Sequence, residues 1–267
     1  MTNLIRILAS IFLIFTLICI VFCIEAYFRY RRKICIDEDK DYQRNYQYFG
    51  QTIYDKNNSL VGYELLICEY NFQENSWQLP NNVENFPLNQ AAEAIEKQAK
   101  QFDEKIQMLT INMTVSQLID YRSENFLNWV RGIISDKKII IELDSRDILN
   151  IRWGKRKHLI NIMKTLYRKY PDIQIAVEGV DSSKSTYKKI DKFLPWLNTI
   201  KFDAKAFNKS ENHWIDVTLA QWKRKLEKYN ITIALGKIET VNQDELAKQL
   251  QVDYRQGYLY QHPVQIN

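Results

Sequence analysis

The sequence contains few of the residues that interrupt a folded chain, with 7 Gly and 5 Pro among 267 residues. No low-complexity run and no internal linker divide the long C-terminal part, so we predict one large domain there rather than two small ones. The chain also has only four cysteines, and Cys19, Cys23 and Cys35 lie in or beside an apolar N-terminal segment. This distribution excludes a disulfide framework.

A basic excess is absent from the folded part of the chain. The formal net charge is +5, but residues 1–36 hold five Lys and Arg against one Glu, which leaves 32 basic and 31 acidic residues in the remainder. A nearly neutral domain argues against a nucleic-acid footprint, so we expect no nucleic-acid partner. We interpret the basic triplets at 155–157 and 223–225 as solvated helix faces.

One long apolar run is present near the N-terminus. Residues 7–24 carry no charge, and with their apolar neighbours they are long enough to cross a bilayer as a helix. A cleaved signal peptide is the alternative, but no small-x-small cleavage site follows the run. We therefore predict a retained membrane anchor.

The charges that flank the run predict its orientation. Arg6 is the only basic residue before it, whereas four follow it closely, namely Arg29, Arg31, Arg32 and Lys33. The positive-inside rule then predicts a single-pass protein of the cell membrane with a cytoplasmic C-terminal domain. We assign residues 1–36 to the anchor and its basic juxtamembrane collar, residues 37–47 to a linker and residues 48–267 to the folded domain.

Short β-branched runs alternate with longer segments of helical period after the linker. The eight runs are "YFGQTIY", "LVGYELLI", "IQMLTINM", "KKIIIEL", "DIQIAV", "LNTIKFD", "ITIALGKI" and "VDYRQGYLY". Strands that alternate with helices predict an α/β protein with a mostly parallel sheet, and eight of them predict a modified (β/α)8 TIM-like barrel. Only "DKNNS" joins the first two runs, so this joint is predicted as a hairpin with one antiparallel strand. We expect the six tryptophans to pack helices onto the barrel.

A carboxylate interrupts the most apolar of these runs, "LVGYELLICEY", where Glu64 lies among alternating apolar residues. A buried ionised Glu is costly unless it is paired or binds a metal. Polar residues recur within or at the end of the other runs as well: Asn112, Glu142, Glu178, Lys201, Asp203, Glu239 and Gln256.

These polar residues predict a hard-cation site, because the C-terminal ends of barrel strands meet at one mouth. Mg²⁺ and Mn²⁺ prefer oxygen ligands. The lysine could activate a water, and two such metals would suit phosphodiester hydrolysis. A single Glu near a strand end is more often a surface or salt-bridge residue, so it is the recurrence on several strands that supports the site.

Six motifs carry a resemblance to a known family. In chain order they are "VGYELL", "INMTVSQL", "IELDS", "NTIKFD", "KIET" and "QGYLYQHPV". They resemble, in the same order, the elements of the EAL family of cyclic di-GMP phosphodiesterases, over about residues 48–265. The resemblance implies a barrel with one antiparallel strand, two Mg²⁺ or Mn²⁺ ions, and cleavage of cyclic di-GMP to linear pGpG.

The resemblance also implies roles for individual residues. It assigns Lys201 and Glu239 to catalysis, with Lys201 positioning the attacking water, and it makes Gln256 a further residue that binds the ligand. The implied metal ligands are Glu64, Asn112, Glu142 and Glu178.

The departures from the family pattern lie at the metal site. Glu178 and Gly179 stand where the family has two adjacent aspartates, and Gly236 stands where it has a metal-site Glu. Cys68 replaces an Arg that pairs with a ligand phosphate. Two bridging carboxylates are therefore missing, which weakens a two-ion site.

These losses favour a degenerate EAL domain without phosphodiesterase activity, acting as a membrane-tethered interaction or receptor module. An unknown protein partner, or a second copy in a homodimer, is then expected. The alternative is an active metal-dependent phosphodiesterase with a rearranged site. Whether the domain holds cyclic di-GMP, and whether it holds Mg²⁺, Mn²⁺ or no metal, stays open. The loop Asn71–Pro87 is predicted to cover the pocket or contact a partner.

Overall fold

The computed structural model describes residues 2–32, 46–79, 86–103, 105–134, 136–207 and 214–266, with side chains from residue 4 to residue 26 in the first segment. The chain divides into two compact units, Met1–Ile36 and Asp37–Asn267. Most of the predicted linker, the side chains of the basic collar and residues 80–85 of the predicted covering loop lie outside the described residues.

The first unit contains one helix, α1, which spans Thr2–Arg32. Within it, the 23 residues Leu4–Ala26 have a mean hydropathy of 3.1, and none of this stretch is buried by other parts of the protein. At 1.5 Å per residue, 23 residues span about 35 Å, which exceeds a hydrocarbon core of roughly 30 Å. By length and composition this helix could cross a membrane.

The second unit is built on strands whose β-branched and aromatic residues favour extended backbone. Among the described residues these strands are β1 Tyr46–Asp55, β2 Leu60–Asn71, β3 Ser76–Gln78, β4 Met108–Asn112, β5 Lys138–Asp144, β6 Ile173–Val180, β7 Thr199–Asp203, β8 Thr232–Gly236, β9 Tyr254–Arg255 and β10 Val264–Gln265.

Eight of these strands close into a barrel in the order β1-β2-β4-β5-β6-β7-β8-β9, with β9 returning to β1. β1 pairs antiparallel with both of its neighbours, whereas the other pairs in the ring are parallel. The predicted fold class is therefore confirmed, including the antiparallel strand and the hairpin between β1 and β2.

The helices that the structure describes in this unit lie mostly between the parallel strands. They are α2 Leu88–Gln98, α3 Val115–Leu118, α4 Ser123–Ile133, α5 Ser145–Leu149, α6 Trp153–Lys169, α7 Lys184–Lys189, α8 Leu219–Leu226 and α9 Val241–Gln249. Capping boxes begin three of them, at Thr114, Thr218 and Thr240. In each box the threonine and a glutamine three residues later satisfy each other's backbone N–H groups.

Small apolar side chains fill the barrel interior below the strand ends. Ile53, Val61, Met108, Ile140 and Ala176 form one buried cluster there. Because this packing closes the interior, the polar side chains further along the strands gather at one mouth.

The prediction that all tryptophans pack helices onto the barrel is wrong. Trp222 is fully buried, but Trp153 and Trp214 are 77% and 76% exposed, and Trp129 is 54% exposed. Trp153 is the first residue of α6, and the residues of this helix that are buried are Leu159, Met163 and Leu166.

Candidate functional site

Glu64 lies in the middle of β2 and is 5% exposed. Its carboxylate accepts hydrogen bonds from Asn112 Nδ2 at 2.7 Å and Gln256 Nε2 at 2.6 Å, and it pairs with Lys201 Nζ at 2.7 Å. Burial opposes ionisation, but the lysine charge and these hydrogen bonds outweigh it and hold the pKa of Glu64 below its ordinary value. The carboxylate in the apolar strand is thus fully paired.

Strand register brings the other predicted residues to the same mouth. Asn112 of β4 lies opposite Glu142 of β5, and Asp144 of β5 lies opposite Glu178 of β6. Because parallel strands end together, consecutive strands of the barrel bring their polar side chains to the same end. Oxygen atoms from Glu64, Glu142 and Glu178 lie within 4.8 Å of one another.

Lys201 occupies the centre of this carboxylate cluster. Its Nζ lies 2.7 Å from Glu64 Oε2, 2.9 Å from Glu142 Oε2 and 3.9 Å from Glu178 Oε2. Burial lowers the pKa of this amine, but the carboxylates more than compensate and raise it above its ordinary value. The ammonium therefore stays charged and acts as the counter-ion of the cluster.

One ammonium cannot neutralise all three carboxylates. Glu142 is 3% exposed, and burial raises its pKa to about 8, with the neighbouring charges of Glu64 and Glu178 adding to the rise against the lowering by Lys201. Burial likewise raises the pKa of Glu178. At neutral pH we therefore expect Glu142 to hold a proton for most of the time.

Gly236 leaves the space through which Lys201 reaches the cluster. A Cβ atom at position 236 would lie 2.8 Å from Lys201 Cε and 3.4 Å from its Cγ. Position 236 ends β8, directly beside Asp203 of β7, so a larger side chain there would point at the lysine stem. The absence of a side chain at position 236 therefore makes room for the buried side chain of Lys201.

Gln256 connects the cluster to the far side of the mouth. Its side-chain amide donates to Glu64 and also to Gln51 Oε1 at 3.0 Å, and Gln51 donates to the backbone carbonyl of Gln261 at 3.1 Å. Gln51 is a site residue that sequence reasoning missed. The register of the β1–β2 hairpin places it opposite Glu64, so the short "DKNNS" turn could have identified it.

The remaining predicted residues lie at the rim. Glu239 is not part of the cluster, since its carboxylate pairs with Lys205 at 2.9 Å. Lys237 pairs with Asp203 at 3.0 Å, and its side chain is 62% exposed. Lys237 thus does not reach the three clustered carboxylates, and its charge is balanced at the surface.

Two further positions differ from the resemblance in ways that the structure explains. Gly179 has φ +63°, a left-handed conformation that a β-carbon disfavours, and its carbonyl accepts a hydrogen bond from Ser145 Oγ at 2.8 Å. Cys68 is buried, and burial raises the pKa of its thiol to about 11. Cys68 is therefore a neutral core residue.

A cavity of about 640 Å³ opens above the carboxylate cluster. Glu64, Lys201 and Gln256 form its floor, while Arg146, Lys237 and Tyr258 are among the residues at its sides. A neighbouring cavity of about 650 Å³ shares Asn112, Arg146 and Glu178 with it and is lined in part by apolar side chains. Cavities of this size accommodate ligands of the size of a dinucleotide or a drug.

The donor set fits a pair of hard cations poorly. Three carboxylates and one amide could surround a single ion, but the ammonium of Lys201 already lies between two of them. Mg²⁺ requires near-octahedral oxygen coordination at about 2.0–2.1 Å, which the lysine contacts oppose. Glycines at 179 and 236 offer no side-chain donors for a second ion.

The family model of the EAL domain matches residues 78–263 of this chain. No curated protein matches it. Among solved structures, the EAL enzyme Bd1971, bound to cAMP and cyclic di-GMP, has 18% identity and a TM-score of 0.61. The comparison covers 84% of this chain and 63% of that one, so the chain spans less than two thirds of this relative's length.

Two further solved structures have the same fold. The Bacillus subtilis YkuI protein, with an EAL domain and in complex with substrate cyclic di-GMP and calcium, has 19% identity and a TM-score of 0.67, with 84% of this chain and 57% of that one covered. The FimX EAL domain from Pseudomonas aeruginosa, bound to cyclic di-GMP, has 17% identity and a TM-score of 0.63, with 82% and 91% covered.

Proposed function

The chain belongs to the EAL domain family, and from this premise we propose that it is a membrane-anchored member that binds cyclic di-GMP without cutting it. In this proposal the barrel is a cytoplasmic receptor or interaction module of cyclic di-GMP signalling. The choice of cyclic di-GMP as the ligand rests on the similar structures, since those of YkuI and FimX contain it.

The loss of two metal-site carboxylates, at Gly179 and Gly236, carries the proposal, and the position of Lys201 adds to it. Its ammonium lies 2.7 Å from Glu64 and 2.9 Å from Glu142, at the point where these carboxylates would otherwise meet a metal. A divalent cation would have to displace a buried, paired ammonium and then bind through a reduced ligand set. Since breaking a buried ion pair costs about 3–5 kcal/mol, metal binding starts at a disadvantage.

The surroundings of the cavity support binding of a nucleotide. Arg146 and Lys237 line its side, where each pairs with one aspartate but keeps an exposed side chain, and Tyr258 adds an aromatic ring that is 46% exposed. A cyclic dinucleotide carries two phosphates and two bases, which cations and exposed rings can contact. Cys68 replaces one phosphate contact of the family, so we expect weaker binding than in members that keep the arginine.

The experiment is a turnover and binding assay on the full chain in detergent or lipid nanodiscs. Cyclic di-GMP is added with Mn²⁺ or Mg²⁺, linear product is followed by chromatography, and binding is measured by calorimetry. We expect binding without product. Product that disappears in the Glu64→Ala variant would overturn the proposal.

Phosphodiesterase activity is the second candidate function. It is favoured by one observation, the approach of three carboxylates within 4.8 Å beside the amide of Asn112. A single ion bound there would supply charge to a phosphodiester, provided that Lys201 moves aside. The same assay separates the two candidates, because the receptor predicts no linear product at any metal concentration.

The proposed location rests on α1 and on the flanking charges. The apolar stretch Leu4–Ala26 would span the cell membrane once, and the basic residues after it would keep the barrel in the cytoplasm. A protein partner and a homodimer are further proposals for a module that signals without catalysis.

A further inference from the structure

One side of α6 carries a row of cations, of which Lys157 and Arg168 are exposed and Lys164 is half-buried. Lys157, Lys164 and Arg168 follow Trp153 at intervals of four, seven and four residues, which places them along one side of the helix. The opposite side contains Leu159, Met163 and Leu166, all of which are buried against the barrel. We call the side formed by Trp153, Lys157, Lys164 and Arg168 the basic face of α6.

The charge of this helix is unusual for the unit to which it belongs. Between residues 148 and 171 there are seven Lys and Arg and no Asp or Glu. The part of the chain after residue 36 has 32 basic and 31 acidic residues, so the part outside this segment has 25 basic and 31 acidic residues. The near-neutral total therefore conceals one strongly basic surface on an otherwise acidic unit.

The basic face is not neutralised by carboxylates among the described residues. Lys164 and Arg168 lie over the ring of Trp196, at 5.8 Å and 5.9 Å from its centroid, and Lys157 has no described ion pair. Lys169, beside this face, does pair with Glu124. Repulsion among these cations therefore favours an external anionic partner.

A similar triplet on α8 provides a contrast. Lys223 donates to the backbone carbonyl of Leu250, and Lys225 pairs with Asp191. Two of the three cations of that triplet therefore have partners within the fold, and we interpret it as structural. The two basic triplets of the sequence thus differ in what surrounds them.

Aromatic rings accompany the cations of α6. Trp153 is 77% exposed and Tyr167 is 49% exposed, and Tyr167 contacts the edge of Trp196. Rings of this kind are enriched where proteins meet the polar region of a bilayer, and exposed cations add attraction to anionic lipid headgroups. The combination matches an anionic membrane surface in charge and in chemistry.

We propose that the basic face of α6 docks on the anionic phospholipid headgroups of the membrane. The inference rests on the proposed anchoring by α1, which would hold the barrel near a bilayer. Only residues 33–45 separate α1 from β1, so the covalent chain limits their distance to about 50 Å. The proposed anchoring therefore keeps the start of β1 within about that distance of a lipid surface.

The test uses the full chain reconstituted in vesicles that contain brominated phosphatidylcholine. One set contains phosphatidylcholine alone, and the other contains equal parts of phosphatidylcholine and phosphatidylglycerol. Bromine quenches a tryptophan that enters the interface, and subtracting the signal of the Trp153→Phe variant isolates that ring. We expect quenching of Trp153 in the anionic vesicles and its loss in the neutral vesicles or in high salt.

Two charge variants make the test specific. Lys157→Gln with Arg168→Gln should lower the ratio of docked to undocked protein roughly 25-fold, or about fivefold for each cation. Arg224→Gln with Lys228→Gln removes the same charge from exposed positions at the end of α8 and should leave the ratio unchanged. Circular dichroism verifies that α6 is intact in both variants.

The outcomes separate docking from anchoring. Flotation of the protein with neutral vesicles reports on α1 alone. If the protein does not float with them, the proposed anchor is overturned, whereas quenching of Trp153 on anionic vesicles still supports docking. Absence of Trp153 quenching in anionic vesicles overturns docking. Equal losses in both charge variants, or binding of a short RNA or DNA duplex at physiological salt in place of quenching, would overturn it as well.

Discussion

Lys201 carries the one positive charge that the described residues place within 4 Å of Glu64, Glu142 and Glu178. Replacing it by Met keeps most of the side-chain volume and leaves the carboxylates without a counter-ion. We expect Lys201→Met to lower the free energy of unfolding at pH 7 by about 3–5 kcal/mol, as measured by urea denaturation. Millimolar Mn²⁺ should restore part of this loss, because the vacated centre becomes a cation site.

Lys237→Met is the matched control for this variant. Lys237 also pairs with a carboxylate, Asp203, but its side chain is 62% exposed, so we expect a loss below about 1 kcal/mol and no rescue by Mn²⁺. If Mn²⁺ stabilises the wild-type chain as strongly as it stabilises Lys201→Met, the ammonium does not exclude the metal, and the receptor proposal loses the support of Lys201.

The raised pKa of Glu142, about 8, predicts how stability changes with pH. In the unfolded chain this carboxyl titrates near 4.5, so between about pH 4.5 and 8 the folded state binds the additional proton. The contribution of Glu142 to stability is therefore largest at low pH, and it falls as pH rises to about 8. Its slope approaches roughly 1.4 kcal/mol per pH unit.

Glu142→Gln removes this titration while keeping a neutral side chain of the same size. The difference in unfolding free energy between wild type and variant, measured in urea from pH 5 to pH 9, should change steadily up to about pH 8 and then become constant. A difference that is independent of pH would mean that Glu142 is ionised throughout and shares Lys201 equally with Glu64.

At the scale of residues, the sequence predicted where the site side chains lie better than it predicted which groups they contact. Glu64, Asn112, Glu142 and Lys201 meet at one mouth, as their places in apolar runs indicated. Pairing of Lys201 with a carboxylate was one expectation for this residue, but its position within the cluster could not be predicted, because that position depends on the space left by Gly236 in another strand. The assignment of Glu64, Asn112, Glu142 and Glu178 as metal ligands stays a prediction.

At the scale of elements, β2 approaches β4 closely at Gly62. Gly62 pairs with Met108 of β4, and a Cβ at position 62 would overlap the Met108 carbonyl oxygen. Since backbone cannot give way as a side chain can, we expect Gly62→Ala to separate β2 from β4 and to cost at least about 1–3 kcal/mol in urea denaturation.

Gly132→Ala is the matched control, because Gly132 lies in α4 with no atom within 4 Å of an added Cβ. Alanine is favoured over glycine in a helix by up to about 1 kcal/mol, so this variant should be as stable as the wild type or more stable. Equal stability of Gly62→Ala and the wild type would contradict the close approach of β2 and β4.

Elements were predicted well where pattern and length agree, and less well where a local turn intervenes. The eight barrel strands match the eight apolar runs, since β-branched alternation is a local signal. The helical period of Val115–Ile134 predicts a single helix, but the structure has two helices there, α3 and α4. Asp120 accepts hydrogen bonds from Arg122 and stabilises a turn between them. Hydrophobic periodicity does not indicate where a side chain will compete with the helix for backbone hydrogen bonds.

At the scale of the whole molecule, two electrostatic features lie on different parts of one chain. The basic collar follows the apolar helix in sequence, and the basic face of α6 lies on the barrel. Composition alone predicted the first, because its cations are adjacent in sequence. The second was interpreted as a solvated face, since charge runs give no information about which of their members lack partners in the fold.

Orientation in the membrane can be tested with a reporter fused after Asn267. Green fluorescent protein folds in the cytoplasm, whereas alkaline phosphatase is active only outside it, and we expect fluorescence without phosphatase activity. Because collar cations determine the orientation, replacing Arg29, Arg31, Arg32 and Lys33 by Gln should move a measurable fraction of the chains to the opposite topology.

Four lysines within Lys184–Lys192 provide the matched control, since this segment lies far beyond the residues that influence topology. Their replacement by Gln removes the same charge and should leave the fluorescence unchanged. Phosphatase activity in the wild type, together with loss of the N-terminal residues in the mass of the mature protein, would identify a cleaved signal peptide. The barrel would then lie outside the cytoplasm, away from the compartment that the receptor proposal requires.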